Sequence, residues 1–447
     1  MNRQYFGTDG MRGKANVHPI TADMAFRLAR ASGHYFNKGS ARQKVVIGRD
    51  TRLSGDMLEA ALIAGFTAIG ADCILLGVMP TPAVAMLTKH HNASLGIMIS
   101  ASHNPYYDNG LKLFDTNGHK LSDDVELSIE ALIDAQEGID LATSEHIGRT
   151  IIDADAQSLY KKSLLASVSE SPKIGDLKIA LDCAHGAAYQ IAPDMLETLG
   201  ANVTLIGVEP NGVNINANVG STHTDALKET VLSGRADVGI ALDGDADRCI
   251  MVDEKGQEID GDQLIGLIAT HLHKSSKLSK PVVVTTIMSN LGLEKHLQSI
   301  GLALERTKVG DRYVTAKMRE GGYNLGGEQS GHIILSDIST TGDGMLAALQ
   351  VLAILSDTGE LLSNIGKVFT PTPQTLVNVR YKGVDPLENE AVIAKIADVE
   401  QRLGQTGRVV IRKSGTEPLI RIMAEAEDKT QMLKAAEDIA SAVRDAS

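Results

Sequence analysis

One order of elements recurs three times along the chain: a helix start, a short amphipathic helix, an apolar strand, and a polar loop rich in glycine or small residues. The strands are predicted at 95–99, 238–242 and 323–325, each shortly before its loop. Strands that alternate with helices indicate α/β domains, in which loops at the strand ends build the functional sites. The repeat therefore predicts three similar α/β domains that each contribute one loop.

The residues after Pro371 and Pro373 follow a different pattern. Strands are predicted at 375–381, 408–412 and 419–424, and helices at 390–403 and 429–443. This is a smaller α+β domain behind a proline-marked linker. A chain of 447 residues is also too long for one core, and length alone favours about three or four domains. We therefore predict an α/β fold with four domains.

Composition excludes several classes of protein. No apolar run approaches the ~18 residues that span a bilayer, and the first residues contain no apolar signal core, so we expect a cytoplasmic protein without membrane contact. Cys73, Cys183 and Cys249 are too few and too scattered for a disulfide framework, which predicts buried free thiols. A net charge of -13 argues against nucleic acid, whereas local arginines and a metal still allow a phosphorylated substrate.

Asp243, Asp245 and Asp247 place three carboxylates in five residues between two apolar strands. These charges repel one another unless a cation neutralises them, and oxygen ligands select a hard ion such as Mg²⁺. A calcium-binding EF-hand is excluded because Arg248 stands where that loop requires glycine. The segment predicts one Mg²⁺ per chain. There are two alternatives. The segment could be a solvated acidic turn, or the chain could be an aspartyl-phosphate phosphatase with Asp243 as its nucleophile.

Ser102 and His103 follow the first of the three strands. A hydrolase pair is disfavoured, because adjacent side chains on an extended segment point apart and the glycines of a G-x-S-x-G turn are missing. A serine that carries a phosphoryl group beside Mg²⁺ needs no base in permanent contact. Lys112 is placed to reach back toward Ser102 across the turn at 109–110. A helix-cap serine and a solvated lysine are the alternatives.

Other segments suit an anion. The turn between the strands at 408–412 and 419–424 offers a guanidinium, two hydroxyls and a glycine that lets backbone amides converge on phosphate: Arg412, Ser414, Gly415 and Thr416. A simple hairpin tip is the alternative. Arg12 lies on a glycine-flanked turn that suits phosphate, although an ion pair with Asp9 is the default.

Four segments together resemble the loops of a known family. They are SASHNP at 100–105, DGDADR at 243–248, GEQSGH at 327–332 and RKSGTEP at 412–418. They resemble the four loops of the α-D-phosphohexomutases, in the family's order and with spacings that cover essentially the whole chain. The opening YFGTDGMRG and Gln329 are more similar to the amino-sugar branch than to the mannose and glucose enzymes.

The resemblance implies an isomerase with four domains around a central cleft. Residues 1–153 would carry the phosphoserine, 154–255 the metal, 256–368 the sugar site and 369–447 a phosphate site. The substrate would be a small sugar phosphate, with glucosamine 6-phosphate and glucosamine 1-phosphate interconverted through glucosamine 1,6-bisphosphate, which also serves as activator. The product would feed UDP-N-acetylglucosamine and cell-wall synthesis. A homodimer is compatible with this reading, and a mannose or glucose mutase or a non-catalytic sugar-phosphate binding protein are its alternatives.

The resemblance also implies roles for single residues. Ser102 would be the phosphoserine and would supply an oxygen to the Mg²⁺ held by Asp243, Asp245 and Asp247. Lys112 and Arg12 would serve in proton transfer and charge stabilisation, Arg248 would contact the phosphoryl group, and His103 and Asn104 would shape the loop. The sugar would be contacted by Glu328, Ser330 and His332. The unreacting phosphate would be bound by Arg412, Ser414, Gly415, Thr416 and Arg421. Two positions depart from the family pattern: His185 replaces a usual asparagine, and Arg312 a frequent lysine.

Overall fold

The computed structural model describes residues 3–37, 39, 42–135, 138–168, 174–382, 385–413 and 418–447. The chain divides into two compact units. The first comprises Met1–Thr286 and Glu305–Lys367, and the second Ile287–Leu304 and Val368–Ser447. Among the described residues, no helix combines the length and the apolar character that crossing a membrane requires. Cys73, Cys183 and Cys249 are buried free thiols, as predicted.

The first unit begins with a six-stranded sheet in the order β1-β5-β4-β2-β3-β6. Its elements are β1 (Met11–Lys14), α1 (Ala22–Phe36), β2 (Lys44–Arg49), α2 (Ser54–Ala68), β3 (Asp72–Val78), α3 (Thr81–His90), β4 (Leu95–Ile99), β5 (Asp108–Asp115), α4 (Asp123–Ala135) and β6 (Thr150–Ile152). Strand β4 pairs with β2 in parallel and with β5 in antiparallel orientation. All five residues of β4 are buried, as expected for a strand covered by helices on both faces.

A five-stranded sheet follows, in the order β11-β10-β9-β7-β8. Its elements are α5 (Ala156–Ala166), β7 (Lys178–Asp182), α6 (Ile191–Thr198), β8 (Asn202–Ile206), α7 (Asp225–Gly234), β9 (Val238–Leu242), β10 (Cys249–Asp253) and β11 (Glu258–Ile259). Leu242 and Cys249 are paired residues of the antiparallel strands β9 and β10. The acidic segment 243–248 is therefore the loop between two buried strands, as predicted.

The third sheet has the order β13-β12-β14-β15. The elements of this region are α8 (Gly261–Lys274), β12 (Val282–Thr286), α9 (Leu291–Ser299), β13 (Ala303–Thr307), α10 (Asp311–Gly321), β14 (Leu325–Gly327), β15 (Ile333–Leu335), α11 (Gly344–Thr358) and α12 (Leu362–Ile365). Strand β14 starts two residues later than the predicted 323–325. The reason is that Gly322 ends α10 in the left-handed conformation, so that residues 323 and 324 form the connection from α10 to β14.

The predicted repeat is present in all three sheets. Strands β4, β9 and β14 each pair in parallel on one side, and in antiparallel orientation with the strand that follows the loop on the other. The three loops thus occupy the same topological position, at the carboxyl end of a central strand. This is where α/β sheets generally bind ligands.

The second unit contains an antiparallel sheet in the order β16-β18-β17. Its elements after the linker are β16 (Gln374–Arg380), α13 (Glu390–Leu403), β17 (Gly407–Lys413), β18 (Leu419–Ala426) and α14 (Lys429–Asp445). One face of the sheet packs on α13 and α14 through Ile420, Ile422 and Ile439. Segment 287–304 also belongs to this unit, because the amide of Leu291 donates to the buried Glu425 carboxylate (2.7 Å).

Candidate active site

Ser102 lies at the carboxyl end of β4 and is 1% exposed. Its φ angle of 52° is in the left-handed region, which serine rarely adopts and which often marks a functional turn. The hydroxyl Oγ donates to Asp243 Oδ2 at 2.5 Å, across 141 residues of sequence. The amide of Ser102 donates to Ser100 Oγ (2.9 Å). The fold therefore aims the Ser102 hydroxyl at the acidic loop.

The buried guanidinium of Arg52 holds this turn in place. It donates to four backbone carbonyls, at 2.9 Å to Ser102, 2.7 Å to Asn104 and 2.9 Å to Asp108, with a fourth contact to Pro105. Its Nε donates to Asp50 Oδ2 (2.9 Å), which also accepts from Ser100 Oγ (2.6 Å). Asp50 is two residues from Arg52 in the sequence, whereas the four carbonyls belong to residues that lie 50 or more positions away.

Asp243, Asp245 and Asp247 are all buried and present carboxylate oxygens within 4.8 Å of one another. Asp245 Oδ1 and Asp247 Oδ1 have no hydrogen-bond partner among the described residues. Burial, followed by the charges of Asp247 and Asp245, raises the pKa of Asp243 to about 7. Buried carboxylate oxygens seldom stay unpaired, and three of them converging is the donor set of a hard divalent cation. The residues present therefore fit a cation such as Mg²⁺.

Two neighbouring groups fix the orientation of the acidic loop. Lys112, on β5, donates to Asp245 Oδ2 (2.7 Å) and Asp247 Oδ2 (3.1 Å). Burial alone would lower the pKa of Lys112, but the charges of these two carboxylates raise it well above its usual range. Thr81, the first residue of α3, donates its amide to the Asp245 carbonyl (2.9 Å) and its hydroxyl to the Asp245 carboxylate. Lys112 is thus a buried cation on β5 that contacts two carboxylates of the acidic loop.

Arg12 and Arg248 place two more guanidinium groups around the acidic loop. Arg12 forms the expected ion pair with Asp9, and the amide of Arg248 donates to Asp243 Oδ1 (3.2 Å). In each arginine the buried Nε has no hydrogen-bond partner among the described residues. Unused guanidinium N–H groups beside a cation site are suited to phosphate oxygens.

His103 follows Ser102, and its Nδ1 lies 3.4 Å from Ser102 Oγ. Burial, followed by the positive charges of Arg248 and Arg12, lowers the pKa of His103 to about 4. The imidazole is consequently neutral at pH 7 and adds no charge to the site.

The third loop, 328–332, contains three polar residues that were predicted to contact the sugar. Ser330 is exposed, and Glu328 Oε1 accepts from the amide of Gly310 (3.1 Å). His332 is buried between two carboxylates, with Nδ1 3.6 Å from Asp247 Oδ1 and Nε2 3.2 Å from Asp311 Oδ2. His332 therefore connects the third loop to the acidic loop.

The charge of His332 depends on competing neighbours. Burial lowers its pKa, but the charges of Asp247 and Asp311 raise it to about 10. The amide of Gly342 points at Nε2 from 3.1 Å, a contact that only a neutral imidazole accepts. The two carboxylates favour a charged imidazole more than this single amide favours a neutral one, so we assign the protonated form to His332.

Arg412 and Arg421, in the second unit, are directly paired across β17 and β18. Burial, followed by the charge of Arg421, lowers the pKa of Arg412. Arg421 Nε is buried and lacks a hydrogen-bond partner among the described residues. Like charges directly opposite on a sheet are unfavourable, which is expected where an anion binds between them. Ser414, Gly415 and Thr416 lie outside the described residues.

The two departures from the family pattern have structural explanations. His185 has a φ of 49°, in the region where asparagine and histidine are both enriched, and its Nδ1 accepts from the amide of Glu209 (3.1 Å). Arg312 binds Glu126 of α4 through both terminal nitrogens, at 2.9 and 2.6 Å. Neither side chain lies on the four loops.

Four family models match the chain in order. They describe phosphoglucomutase/phosphomannomutase alpha/beta/alpha domains I (residues 3–139), II (158–256) and III (260–371), and the C-terminal domain (376–442). The phosphoglucosamine mutase of Novosphingobium aromaticivorans is 55% identical over 446 residues, which cover 100% of both chains. That of Caulobacter vibrioides is 55% identical over 445 residues, or 99% of both chains.

Solved structures show the same fold. A phosphoglucomutase/phosphomannomutase family protein from Burkholderia thailandensis superposes with a TM-score of 0.81 at 21% identity, covering 100% of this chain and 98% of that one. An Aspergillus fumigatus N-acetylphosphoglucosamine mutase, in complex with GlcNAc-6P and magnesium, gives a TM-score of 0.67 at 19% identity, covering 100% and 96%. With four matching domain models and relatives above half identity over its full length, the chain belongs to the phosphoglucomutase/phosphomannomutase family, the α-D-phosphohexomutases.

Proposed function

We propose that the chain interconverts glucosamine 6-phosphate and glucosamine 1-phosphate through a phosphorylated Ser102. The observation that carries this proposal is the 2.5 Å hydrogen bond from Ser102 Oγ to Asp243 in a buried cluster of three carboxylates. The preference for an amino sugar is supported by the relatives of 54 and 55% identity, which are named phosphoglucosamine mutases. The product would enter the cytoplasmic synthesis of UDP-N-acetylglucosamine and the cell wall.

Asp243, Asp245 and Asp247 would hold one Mg²⁺, with an oxygen carried by Ser102 as a further ligand. The bound ion would supply positive charge against the transferring phosphoryl group. Asp245 Oδ1, which has no hydrogen-bond partner among the described residues, supports this assignment, as does Asp247 Oδ1, which accepts no hydrogen bond there and lies 3.6 Å from His332 Nδ1.

The protein's own residues would position the reacting groups. In the first half-reaction the bond between Ser102 Oγ and phosphorus breaks, and a bond forms from phosphorus to the free sugar hydroxyl. The hydroxyl loses a proton and Ser102 Oγ gains one. Because Lys112 is protonated, we assign it to donate a proton to Ser102 Oγ and then to take up the proton of the hydroxyl, with Arg12 stabilising the charge. Arg248 would contact the phosphoryl oxygens, His103 and Asn104 shape the turn, and Glu328, Ser330 and His332 act on the sugar side.

The second half-reaction requires the 1,6-bisphosphate intermediate to reorient and return its other phosphate to Ser102. The unreacting phosphate must be held in both orientations by groups that recognise charge and tetrahedral shape. We assign this role to Arg412, Arg421 and the loop that contains Ser414, Gly415 and Thr416. The cross-strand pairing of Arg412 with Arg421 supports this assignment.

Labelling and turnover test the proposal together. The protein is incubated with bisphosphate carrying labelled phosphate and quenched, and a serine ester on Ser102 is expected to survive acid and hydroxylamine. An acid-labile label on Asp243 would instead identify an aspartyl phosphatase. Turnover with Mg²⁺ is then compared for the 6-phosphates of glucosamine, glucose and mannose. If glucosamine 6-phosphate is the poorest of the three, the amino-sugar assignment is wrong.

A further inference from the structure

Two connections from different sheets meet at the turn that carries Ser102. Residues 102–105 lie between β4 and β5 of the six-stranded sheet. Asn216 lies between β8 of the five-stranded sheet and α7, and it is 7% exposed. Its side-chain Nδ2 donates to the Ser102 carbonyl (2.9 Å) and to the Asn104 carbonyl (3.1 Å). Asn216 therefore binds the same two carbonyls that Arg52 binds.

The chemistry of this contact fixes which way the Asn216 amide faces. Both partners are carbonyl oxygens, which only accept hydrogen bonds, so the NH2 end of the amide points at the turn. Each carbonyl has two lone pairs and can accept from Arg52 and from Asn216 at once. The φ angle of Asn216 is 59°, in the left-handed region that asparagine adopts more readily than most residues. Asparagine thus combines a compact donor group with the backbone conformation that this position requires.

Asn216 is anchored to the five-stranded sheet. Its amide donates to the Ala184 carbonyl (2.9 Å), and the amide of Gly220 in the same connection donates to Asp182 Oδ2 (2.7 Å) at the end of β7. The buried Asp182 also accepts from the amide of Ala184 (2.9 Å). Arg52 lies between β2 and α2 of the six-stranded sheet, so it shapes the turn from its own side. Asn216 instead joins the turn to the sheet that carries the acidic loop.

The acidic loop packs directly against this contact. A Cβ atom on Gly244 would lie 2.6 Å from the Ser102 carbonyl oxygen and 2.8 Å from Asn216 Nδ2, too close for any side chain. In the part of the chain that the structure describes, Asn216 and Asp243 are the two residues from the region of the five-stranded sheet that hydrogen-bond residues 102–105. The Asp243 contact uses the proton of the Ser102 hydroxyl. A phosphorylated Ser102 has no such proton, whereas the carbonyls that Asn216 binds are unchanged by the reaction.

We propose that Asn216 is a positioning residue of the Ser102 reaction, which holds the turn against the acidic loop while Ser102 gains and loses its phosphoryl group. The inference rests on the phosphoserine mechanism proposed above. Phosphoryl transfer requires the attacking and leaving oxygens to be in line, and a misplacement of about 1 Å can cost about a hundredfold in rate. Loss of the Asn216 amide should therefore lower kcat more than it changes KM, because Asn216 is assigned no contact with the sugar or the unreacting phosphate.

Asn216→Gly removes the amide and keeps a residue that readily adopts a left-handed backbone. We expect kcat to fall about tenfold to a hundredfold, and KM for glucosamine 6-phosphate to stay within about threefold. Labelling of Ser102 by labelled glucosamine 1,6-bisphosphate, followed by rapid quenching, should slow as well. Asn218→Gly is the matched control. Asn218 has a φ of 57°, is exposed, and its side chain forms no hydrogen bond with the described residues, so both rates should stay within about twofold.

Asn216→Asp keeps the size of the side chain but turns an oxygen toward the two carbonyls, so kcat should fall at least as far as in Asn216→Gly. Denaturant unfolding separates positioning from stability, because a purely structural role would lower the unfolding midpoint of Asn216→Gly without lowering kcat of the folded protein. That result, or Ser102 labelling in Asn216→Gly as fast as in Asn218→Gly, would overturn the inference. Absence of label on Ser102 in the wild type would instead overturn the phosphoserine mechanism, so the two failures are distinguishable.

Discussion

The Ser102 region and the Arg412–Arg421 pair handle charge in opposite ways. Around Ser102, the cation Arg52 is saturated by one carboxylate and four carbonyls, and Lys112 lies on two carboxylates. On β17 and β18, two arginines face each other, and burial and like charge lower the pKa of Arg412. The first region uses its polar contacts to hold the Ser102 turn and the acidic loop in one geometry. The second leaves the buried Arg421 Nε without a hydrogen-bond partner among the described residues, an arrangement that suits an anion and costs some stability.

The largest effect is expected from Ser102→Ala. Loss of the phosphoryl-carrying oxygen should lower turnover by roughly a thousandfold or more, because no other group takes over the covalent step. Binding of glucosamine 6-phosphate should remain within about threefold, since the serine is not assigned to the sugar or to the unreacting phosphate. Steady-state kinetics and calorimetry measure the two quantities. Substantial turnover in this variant would contradict the phosphoserine assignment.

Removal of divalent cations should have the next largest effect. Chelation is expected to lower turnover by about 10²–10³-fold, and added Mg²⁺ should restore it. Asp245→Asn should keep the contacts of Thr81 largely intact but weaken the activation by Mg²⁺. Titration of activity against free Mg²⁺ gives the apparent affinity. Activity that is insensitive to chelation would exclude a catalytic cation.

Arg52→Lys should lower stability and activity together. The ammonium cannot reach all four carbonyls and Asp50, and the buried groups left unpaired should cost about 3 kcal/mol of unfolding free energy. Because the Ser102 turn is held by Arg52, kcat should fall more than KM changes. Denaturant unfolding and kinetics give both values.

Arg49→Lys is the control for Arg52→Lys, because Arg49 lies three residues earlier and its pairs with Asp56 and Glu59 are partly exposed. It should cost less than about 1 kcal/mol. Equal losses in the two variants would show that Arg52 is not a special support of the turn.

Arg421→Gln should separate binding from stability. Removing one of two facing guanidinium groups should raise the unfolding free energy by a few tenths of a kcal/mol, because like charges across strands repel. KM for glucosamine 6-phosphate should rise by about tenfold or more, since a charge-assisted phosphate contact is lost. Destabilisation with unchanged KM would mean that Arg421 has a structural role instead.

Local chemistry made several features predictable. The acidic loop is readable because its three carboxylates and both flanking strands lie within 238–252. The order of helix, strand and loop is readable because hydrophobic periodicity and turn residues act over a few positions. By contrast, β14 begins two residues later than predicted, because α10 continues to Gly321 and the left-handed Gly322 leaves residues 323 and 324 as its connection to the strand.

The roles of single charged residues were less predictable. In the sequence, the only evident partner of Arg52 is the neighbouring Asp50, whereas the four carbonyls that accept its hydrogen bonds belong to residues 102–108. Lys112 could be a surface residue of β5 by pattern, and it is buried because the acidic loop packs over it. His332 looks like a ligand-facing loop residue, yet it lies between Asp247 and Asp311. Each of these partners is distant in sequence.

By itself the sequence determined the class of fold, the three equivalent loops and a cluster of three carboxylates that could hold a cation, because these depend on residue type and short spacing. Only the tertiary structure decided that Ser102 points at Asp243, that Arg52 is a support of the turn, and that Arg412 faces Arg421. The physical reason is that strand register and domain packing choose which distant groups meet, and burial then makes every unpaired charge or donor costly enough to assign a role.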